Sequence, residues 1–275
     1  YGKDRDDGEI ALCTLAAFNL GEMHDDSDIE ECAELAVRAL DEILDFQDYP
    51  HPAALHAKGR RALGIGVVNY AYYLAKHGFN YSSENGNQLT HELFESIQYY
   101  CLKASNKLAA EKGACDYYHE TSYSKGVMPI DRYYKKTLDT FADFPLKQDW
   151  ETLRELIRIY GLRNSTLTAL MPSETSSQIS NATNGIEPPR GAVSVKASKD
   201  GILKQVVPGI GKVEYEFLWN IPDNTGYLQK CGIMQKFIDQ AISANTNYDP
   251  SKFENRRVPM KVILRDLLEI GAAPG

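Results

Sequence analysis

Met171-Pro172-Ser173-Glu174-Thr175-Ser176-Ser177-Gln178 is the stretch around which the rest of the chain is organised. It follows an apolar run typical of a β-strand, residues 165–170, and leads into a short segment compatible with a helix. Proline fixes its own φ and favours an extended residue before it, so the strand is expected to end at Met171. Ser173 is then in position to cap the helix. The stretch therefore predicts a strand-to-helix turn.

This turn has two interpretations. The first N–H groups of a helix have no intrahelical partner and the helix dipole adds partial positive charge there, so such a turn can bind phosphate. The hydroxyl groups of Thr175, Ser176 and Ser177 are available as further donors. Capped strand-to-helix turns that bind no ligand are nevertheless common, because capping residues are common. The spacing alone leaves both interpretations open.

Apolar runs outside this turn predict further strands. Residues 9–20 and 60–69 are almost continuously hydrophobic, which is typical of strands in a parallel sheet covered on both faces. Residues 193–197 and 202–207 alternate instead, and the Asp-Gly pair between them favours a tight turn, so they predict a β-hairpin. Apolar stripes with caps or glycine stops predict helices at residues 27–44, 70–76, 89–108, 150–160, 227–240 and 259–270.

The first of these helices is predicted in most detail. Ser27 and Glu30 have the spacing of a capping box. Apolar residues three or four apart then predict a buried stripe that includes Cys32, Leu35 and Ile43. This spacing predicts that Cys32 is a core residue of the helix at 27–44. The equivalent spacing predicts that Cys101 is a core residue of the helix at 89–108.

Composition and missing motifs exclude several functional classes. The net charge of −8 is spread along the chain without a basic stripe, so nucleic acid is not an expected partner. No apolar run approaches the roughly 20 residues that span a bilayer, so no membrane association and a cytoplasmic setting are expected. Five cysteines without a CxxC pair and six histidines without an HExxH motif predict neither a disulfide framework nor a metal site.

Two further features of the sequence concern known nucleotide-binding and catalytic motifs. The Gly64-x-Gly66 pair resembles the start of a dinucleotide-binding fingerprint, but Asn69 occupies its third position and no acidic residue follows at the required distance. Close packing of the backbone is the preferred interpretation of these glycines. The chain has no GxSxG elbow and no GKS or GKT loop, so hydrolase and P-loop chemistry lack their usual motifs.

The residues from Met171 to Arg190, followed by Val193 to Leu203, resemble the large subunit of class I ribonucleotide reductase. Four other segments resemble the same family in the same order: residues 8–15, 60–66, 161–167 and 233–239. The resemblance covers nearly the whole chain and is closest in character to the enterobacterial and T-even phage enzymes.

The resemblance implies that residues 1–275 form part of a ten-stranded catalytic α/β barrel with a β-hairpin excursion. They would be roughly its second half, without the N-terminal regulatory region, the finger loop with the thiyl-radical cysteine, or the C-terminal tail. The chain also begins without methionine and enters a strand-like run almost at once, so we expect a piece of something longer, such as one polypeptide of a divided subunit.

The resemblance also implies roles for particular residues. In the family, one motif binds the substrate diphosphate. The residues of this chain that match it are Pro172, Ser173, Glu174, Thr175 and Ser176. Cys13 matches one member of the cysteine pair that is oxidised to a disulfide as the ribose is reduced, whereas its own context favours an inert buried thiol. The four Tyr-Tyr pairs do not match the tyrosine pair that relays the radical, and they are interpreted as packing residues.

These matches imply a component of ribonucleoside-diphosphate reductase. Its partners would be the remaining part of the large subunit, a small radical-generating subunit of the di-iron tyrosyl type, a ribonucleoside diphosphate, and an external dithiol such as thioredoxin or glutaredoxin. No cofactor is expected in this chain itself. The alternative is a non-catalytic fragment that retains the fold and serves as a phosphate-binding or assembly partner.

Overall fold

The computed structural model of the chain describes residues 8–12, 14–131, 143–198 and 201–218. Cys13 and the helices predicted at residues 227–240 and 259–270 lie outside the described residues. Within these ranges the chain combines helices with parallel strands, so the α/β class is confirmed.

A short parallel sheet lies at the centre of the fold. Strand β1 (Leu15–Asn19) pairs in parallel with β2 (Gly64–Val68), with Leu15 opposite Gly64 and Asn19 opposite Val68. Every residue of β2 is buried, as its continuous hydrophobicity predicts. Strand β1 begins at Leu15, so the predicted strand over residues 9–20 was too long at its start.

The segment at residues 165–170 runs beside β2 without forming a full strand. It makes one parallel bridge, between Ile65 and Thr168. The amide of Ile65 donates to the carbonyl of Leu167 at 2.7 Å, and the amide of Ala169 donates to the carbonyl of Ile65 at 3.0 Å. The predicted strand is therefore replaced by a bridged extended segment, which still enters the sheet next to β2 and parallel to it.

Within the described ranges, six α-helices connect and cover these strands. Four of them lie where apolar stripes predict helices, and the short α6 lies where the turn after Met171 predicts one. The second helix begins with a proline at its first position, where the missing amide proton costs nothing. The helices are α1 (Asp26–Phe46), α2 (Pro52–Lys58), α3 (Tyr70–Lys76), α4 (Glu84–Lys112), α5 (Trp150–Tyr160) and α6 (Glu174–Ile179).

The start of α1 corrects the predicted capping box. Its N-cap is Asp25, whose carboxylate accepts hydrogen bonds from the amides of Ser27 and Asp28. The buried face also differs from the predicted one, because Leu35 is 61% exposed and Cys32 is only half-buried. The core side chains are Ile29, Ala33, Val37, Leu40 and Leu44. Apolar residues occupy more than one face of this helix, so its orientation depends on what packs against it.

Helix α4 packs beside α1, and the two run in the same direction. Glu30 pairs with Lys103 at 2.6 Å and Glu34 with Lys107 at 2.8 Å, so each acidic residue lies beside the residue 73 positions later. These pairs are exposed and each contributes little to stability. They specify the register between the two helices.

The carboxylate of Glu95, buried on α4, holds the start of α5. It accepts hydrogen bonds from the amides of Lys147 and Gln148 at 2.9 Å each, and from the indole Nε1 of Trp150 at 3.0 Å. A buried carboxylate is stable only when donors surround it in this way. Glu95 therefore ties residues 147–150 to the core.

Strands β3 (Val193–Ser198) and β4 (Gly201–Val206) pair antiparallel, with Val193 opposite Val206. The turn residues 199 and 200 lie outside the described part of the chain. Valine and isoleucine side chains of this pair are exposed, including Val195 and Ile202. The pair thus lies on the surface rather than in the core.

None of the helices in the described part of the chain combines the length and the apolarity that crossing a bilayer requires.

Gly66 permits close contact between β2 and the segment after it. A Cβ atom added there would overlap the carbonyl oxygen of Ala169 and the sulfur of Met171. The packing interpretation of the Gly64-x-Gly66 pair therefore agrees with the structure.

We expect Gly66→Ala to lower the free energy of unfolding by about 1–3 kcal/mol through overpacking, measured by urea denaturation. Gly191→Ala is the control, since its Cβ would meet no atom closer than 3.9 Å; equal losses for the two variants would contradict this explanation.

Candidate functional site

The turn after Met171 lies at the carboxyl edge of the sheet. Asn19 ends β1, Asn69 directly follows β2, and Met171 directly follows the segment at 165–170 that runs parallel to β2. The carboxyl ends of parallel strands lie on one edge, and this edge is where ligands bind in open α/β sheets. Residues 172–185, which we call the cradle loop, therefore occupy the edge where a substrate site is expected.

Ser173 is the N-cap residue of α6, but its hydroxyl does not make the predicted capping hydrogen bond. Its backbone has φ −114° and ψ 49°, which differs from the extended conformation usual at an N-cap, and its hydroxyl caps no helix amide. Instead its own amide donates a 2.9 Å hydrogen bond to the Oδ1 atom of Asn184. The start of α6 is thus held by an asparagine from the far end of the cradle loop.

The hydroxyl groups of the cradle loop differ in what they can offer a ligand. Thr175 and Ser176 are exposed, and the hydroxyl of Ser176 makes only a long 3.4 Å bond to the carbonyl of Ser173. Ser177 is buried, and its hydroxyl donates to the carbonyl of Glu174 at 3.1 Å. The expectation that Ser177 supplies a donor was therefore wrong, because its position in the helix turns it inward. Pro172 is exposed at the start of the turn.

Asn184 also contacts Glu174, the one acidic residue of the predicted diphosphate motif. Its Nδ2 atom lies 3.4 Å from the Oε1 atom of Glu174. Glu174 is exposed, and a carboxylate beside a phosphate repels it. The Asn184 side chain thus contacts both the amide of Ser173 and the carboxylate of Glu174.

Asn69 fixes the cradle loop to the sheet. It is buried and adopts the left-handed conformation with φ 70°, which asparagine tolerates better than most residues. Its amide donates to the carbonyl of Thr183 at 2.8 Å, and its Oδ1 atom accepts from the amide of Thr183 at 3.1 Å. Its Nδ2 atom donates to the Oδ1 atom of Asn19 at 2.9 Å. Two strand ends and the cradle loop are therefore joined by one asparagine.

Gln205 also holds the cradle loop. From β4 its Nε2 atom donates to the carbonyl of Ala182 at 2.9 Å and lies 3.4 Å from the carbonyl of Ser177. Sequence reasoning missed Asn69, Asn184 and Gln205, because each acts through contacts with residues distant in the chain. An asparagine directly after a buried strand was the only signal available for Asn69.

A cleft of about 310 Å³ lies between the end of β1 and the start of α1, and Asn19 is part of its lining. Among the side chains that line it are Glu22, Asp28 and Glu31. An acidic lining opposes the binding of a diphosphate. This cleft is therefore a poor candidate for the substrate site.

Three cysteines in the described residues are free thiols. Burial raises the pKa of Cys101 to about 12, and burial, with the neighbouring Asp116, raises the pKa of Cys115 to about 11. Partial burial and then the carboxylates of Asp28 and Glu31 raise the pKa of Cys32. Since the thiolate is the reactive form, these three thiols are poorly suited to redox chemistry near neutral pH. The prediction that Cys101 is a core residue is confirmed, and Cys13 is outside the described residues.

No group of three or more histidine, cysteine, aspartate or glutamate side chains that could hold a metal ion occurs within the ranges that the structure describes.

Residues 3–213 match the family of the ribonucleotide reductase barrel domain, and the chain belongs to this family. It is similar to particular large subunits as well. The ribonucleoside-diphosphate reductase subunit alpha of Haemophilus influenzae is 66% identical over 266 residues, which cover 96% of this chain and 35% of that protein.

Two other relatives have the same function in their names. The ribonucleoside-diphosphate reductase 1 subunit alpha of Escherichia coli K12 is 68% identical over 228 residues, or 82% of this chain and 30% of that protein. The subunit alpha of enterobacteria phage T4 is 51% identical over 268 residues, or 95% of this chain and 35% of that protein. The chain thus spans about a third of the length of these curated relatives, and the family predicted from the sequence is confirmed.

Proposed function

We propose that this chain forms part of the catalytic barrel of a ribonucleoside-diphosphate reductase large subunit. The observation that carries the proposal is the family match over residues 3–213, which includes both Cys13 and the diphosphate motif at 172–176. The reaction replaces the 2′-hydroxyl of a ribonucleoside diphosphate with hydrogen. A thiyl radical on a cysteine outside this chain removes the 3′-hydrogen, and the 2′-hydroxyl leaves as water.

Within this reaction the chain has two roles. Pro172, Ser173, Glu174, Thr175 and Ser176 hold the substrate diphosphate, with the exposed hydroxyls of Thr175 and Ser176 as donors. Cys13 and a partner cysteine supply two electrons and become a disulfide, which an external dithiol such as thioredoxin or glutaredoxin reduces again. Holding the substrate against these thiols is the contribution of the protein to the rate.

The proposal also requires partners. The radical comes from a separate small subunit of the di-iron tyrosyl type. Among the described residues β1 pairs only with β2, so within them the other edge of β1 has no strand beside it. We propose that other strands of the large subunit complete a ten-stranded barrel at this edge.

Substitutions in the cradle loop test the diphosphate role. In a large subunit that contains this chain, Thr175→Ala and Ser176→Ala are each expected to weaken binding of ADP by about 1–2 kcal/mol, which is the cost of one hydrogen bond to a charged group. Ser176→Pro should cost more, because proline removes an amide as well as the hydroxyl. Titration calorimetry with ADP and with adenosine measures both affinities.

Ser180→Ala is the matched control, since Ser180 lies at the other end of α6 and its hydroxyl bonds the carbonyl of Ser176. It should leave both affinities unchanged. Equal losses for ADP and adenosine in the Thr175 and Ser176 variants would place the phosphates elsewhere. A subunit that neither prefers ADP over adenosine nor reduces it with the small subunit and a dithiol would instead be the non-catalytic alternative.

A further inference from the structure

We propose that one face of α1 is the docking surface for a helix from the part of the large subunit outside this chain, and that this helix carries a lysine or an arginine. The inference rests on the proposed function, because it names the segment that covers β1. The observation that carries it is the continuity of this face with the edge of β1 through one acidic cleft. We call the face the α1 flank, and its residues are Asp28, Glu31, Leu35, Ala39, Ile43 and Phe46.

The α1 flank is a second apolar face of this helix. Residues three, four, seven, eight or eleven positions apart return to one side of an α-helix, so the six residues lie together. Leu35 is 61% exposed, Ile43 46% and Phe46 87%. The core residues Ala33 and Val37 lie on the opposite side of the helix. A row of exposed apolar side chains on one helix face marks an interaction surface.

The flank is turned toward the edge of β1 that has no described strand beside it. Helix α4 lies on another side of α1, where Glu30 and Glu34 pair with its lysines. The cleft of about 310 Å³ is lined by residues 17–19 of β1 and by Asp28, Glu31 and Cys32 of α1, and within the described residues none of its lining belongs to β2 or α4. The flank and this edge of β1 therefore border the same space.

This continuity indicates what covers the flank. In α/β proteins helices form a layer over the sheet, so a strand that pairs with β1 brings a helix of its own next to α1. Burial is incomplete at this edge, since Leu15 of β1 is 43% exposed whereas every residue of β2 is buried. The chain covers 35% of the Haemophilus influenzae relative, which leaves ample length for such a strand and helix. A second copy of this chain or a small subunit would not need a surface continuous with a strand edge.

The charge of the cleft specifies the partner further. Glu22, Asp28 and Glu31 line it at the amino end of the flank. Glu30 and Glu34 of the same helix pair with lysines, but no lysine or arginine in the described ranges pairs with the three carboxylates of the cleft. Covering carboxylates with another helix is costly unless a cation accompanies them. The docked helix therefore places a lysine or an arginine at this end.

Site-specific thiol labelling tests the docking surface. Leu35→Cys and Phe46→Cys, in separate variants, are treated with a maleimide in this chain alone and in a large subunit that contains it, and mass spectrometry quantifies the modified peptide. In the chain alone each thiol should react as an exposed one. In the large subunit we expect each rate to fall at least about a hundredfold, because a covered residue reacts only when the contact opens.

Ile159→Cys is the matched control. Ile159 is 61% exposed, as Leu35 is, but it lies on α5, which packs against α4 and does not line the cleft beside β1. Its thiol should react at the same rate in the chain alone and in the large subunit.

Charge reversal tests the basic side chain of the partner. Combined with Leu35→Cys in the large subunit, Glu31→Lys should raise the labelling rate roughly tenfold, because like charges that face each other weaken a contact. Glu155→Lys on α5 is the matched change, since Glu155 is also exposed, and it should leave the rate unchanged. No effect of Glu31→Lys would overturn the assignment of a lysine or an arginine to this end of the docked helix.

The labelling rates separate the possible occupants of the flank. Equal rates for Leu35→Cys in the chain alone and in the large subunit overturn the inference. Protection that grows with the concentration of the chain alone identifies a second copy, and protection that requires the small subunit identifies that subunit; either result also overturns it. The proposed function fails separately, if a large subunit that contains this chain does not reduce ADP with the small subunit and a dithiol, whatever the labelling shows.

Discussion

Replacing Cys13 with serine is expected to reduce dithiol-supported turnover to background in a reductase that contains this chain. A serine hydroxyl cannot form a disulfide, so the ribose would lack the two electrons that its reduction requires. Affinity for the nucleoside diphosphate should change little, because the proposed diphosphate contacts lie at residues 172–176. Radioactive or chromatographic detection of deoxynucleotide measures the first effect, and titration calorimetry with ADP measures the second.

Cys101→Ala is the control for the loss of a thiol. Cys101 is fully buried, and burial raises its pKa to about 12, so very little of it is the reactive thiolate near neutral pH. The variant should lose some stability through a small cavity and keep turnover in the protein that folds. If Cys13→Ser lost folding and substrate binding together, Cys13 would instead be a structural thiol.

Asp41→Ala is expected to lower the free energy of unfolding by about 3–5 kcal/mol, the typical result of removing one partner from a buried ion pair. Asp41 has no exposed surface. Its Oδ1 atom accepts from the Nε atom of Arg61 at 2.6 Å and from the Nδ2 atom of Asn164 at 3.1 Å, and its Oδ2 atom accepts from Arg163 at 3.2 Å. Without this carboxylate, Arg61 would remain buried and keep only its bonds to Asp45 and to the backbone carbonyl of residue 41.

The position of this network explains why the cost is large. Arg61 precedes β2, and Asn164 precedes the segment at 165–170, so Asp41 ties the amino ends of both to α1. We expect the variant to show a lower midpoint in urea denaturation at pH 7, together with loss of protection from hydrogen exchange in β2.

Asp45→Ala is the matched control on the same helix. Asp45 also bonds Arg61, at 2.9 Å, but its side chain is 42% exposed, so its removal should cost below about 1 kcal/mol. The hydrogen bond from Arg61 holds the pKa of Asp45 well below its usual range. Its contribution is therefore present above about pH 4 and declines as the pH falls toward the folded-state pKa. Equal losses for Asp41→Ala and Asp45→Ala at pH 7 would show that burial does not set the cost.

Much of the secondary structure was predictable because it depends on local periodicity. Helices α4 and α5 lie where the apolar stripes at residues 89–108 and 150–160 predict them, with Gly113 directly after α4 and the N-cap Asp149 directly before α5. The buried face of α1 was not predictable, because several of its faces carry apolar residues and the packing of α4 selects among them. The inward direction of the Ser177 hydroxyl was not predictable either, because it depends on the position of Ser177 in the folded helix α6.

By itself the sequence determined the α/β class, the family and the segment proposed to bind the diphosphate, because these depend on residues that are adjacent in the chain. Only the tertiary structure showed how that segment is held. Asn69 and Gln205 reach the cradle loop from positions far from it in the chain, and Asp41 joins residues more than a hundred positions apart. Such contacts have no periodic or local signal, since they arise only once strands and helices have packed and their buried polar groups must find partners.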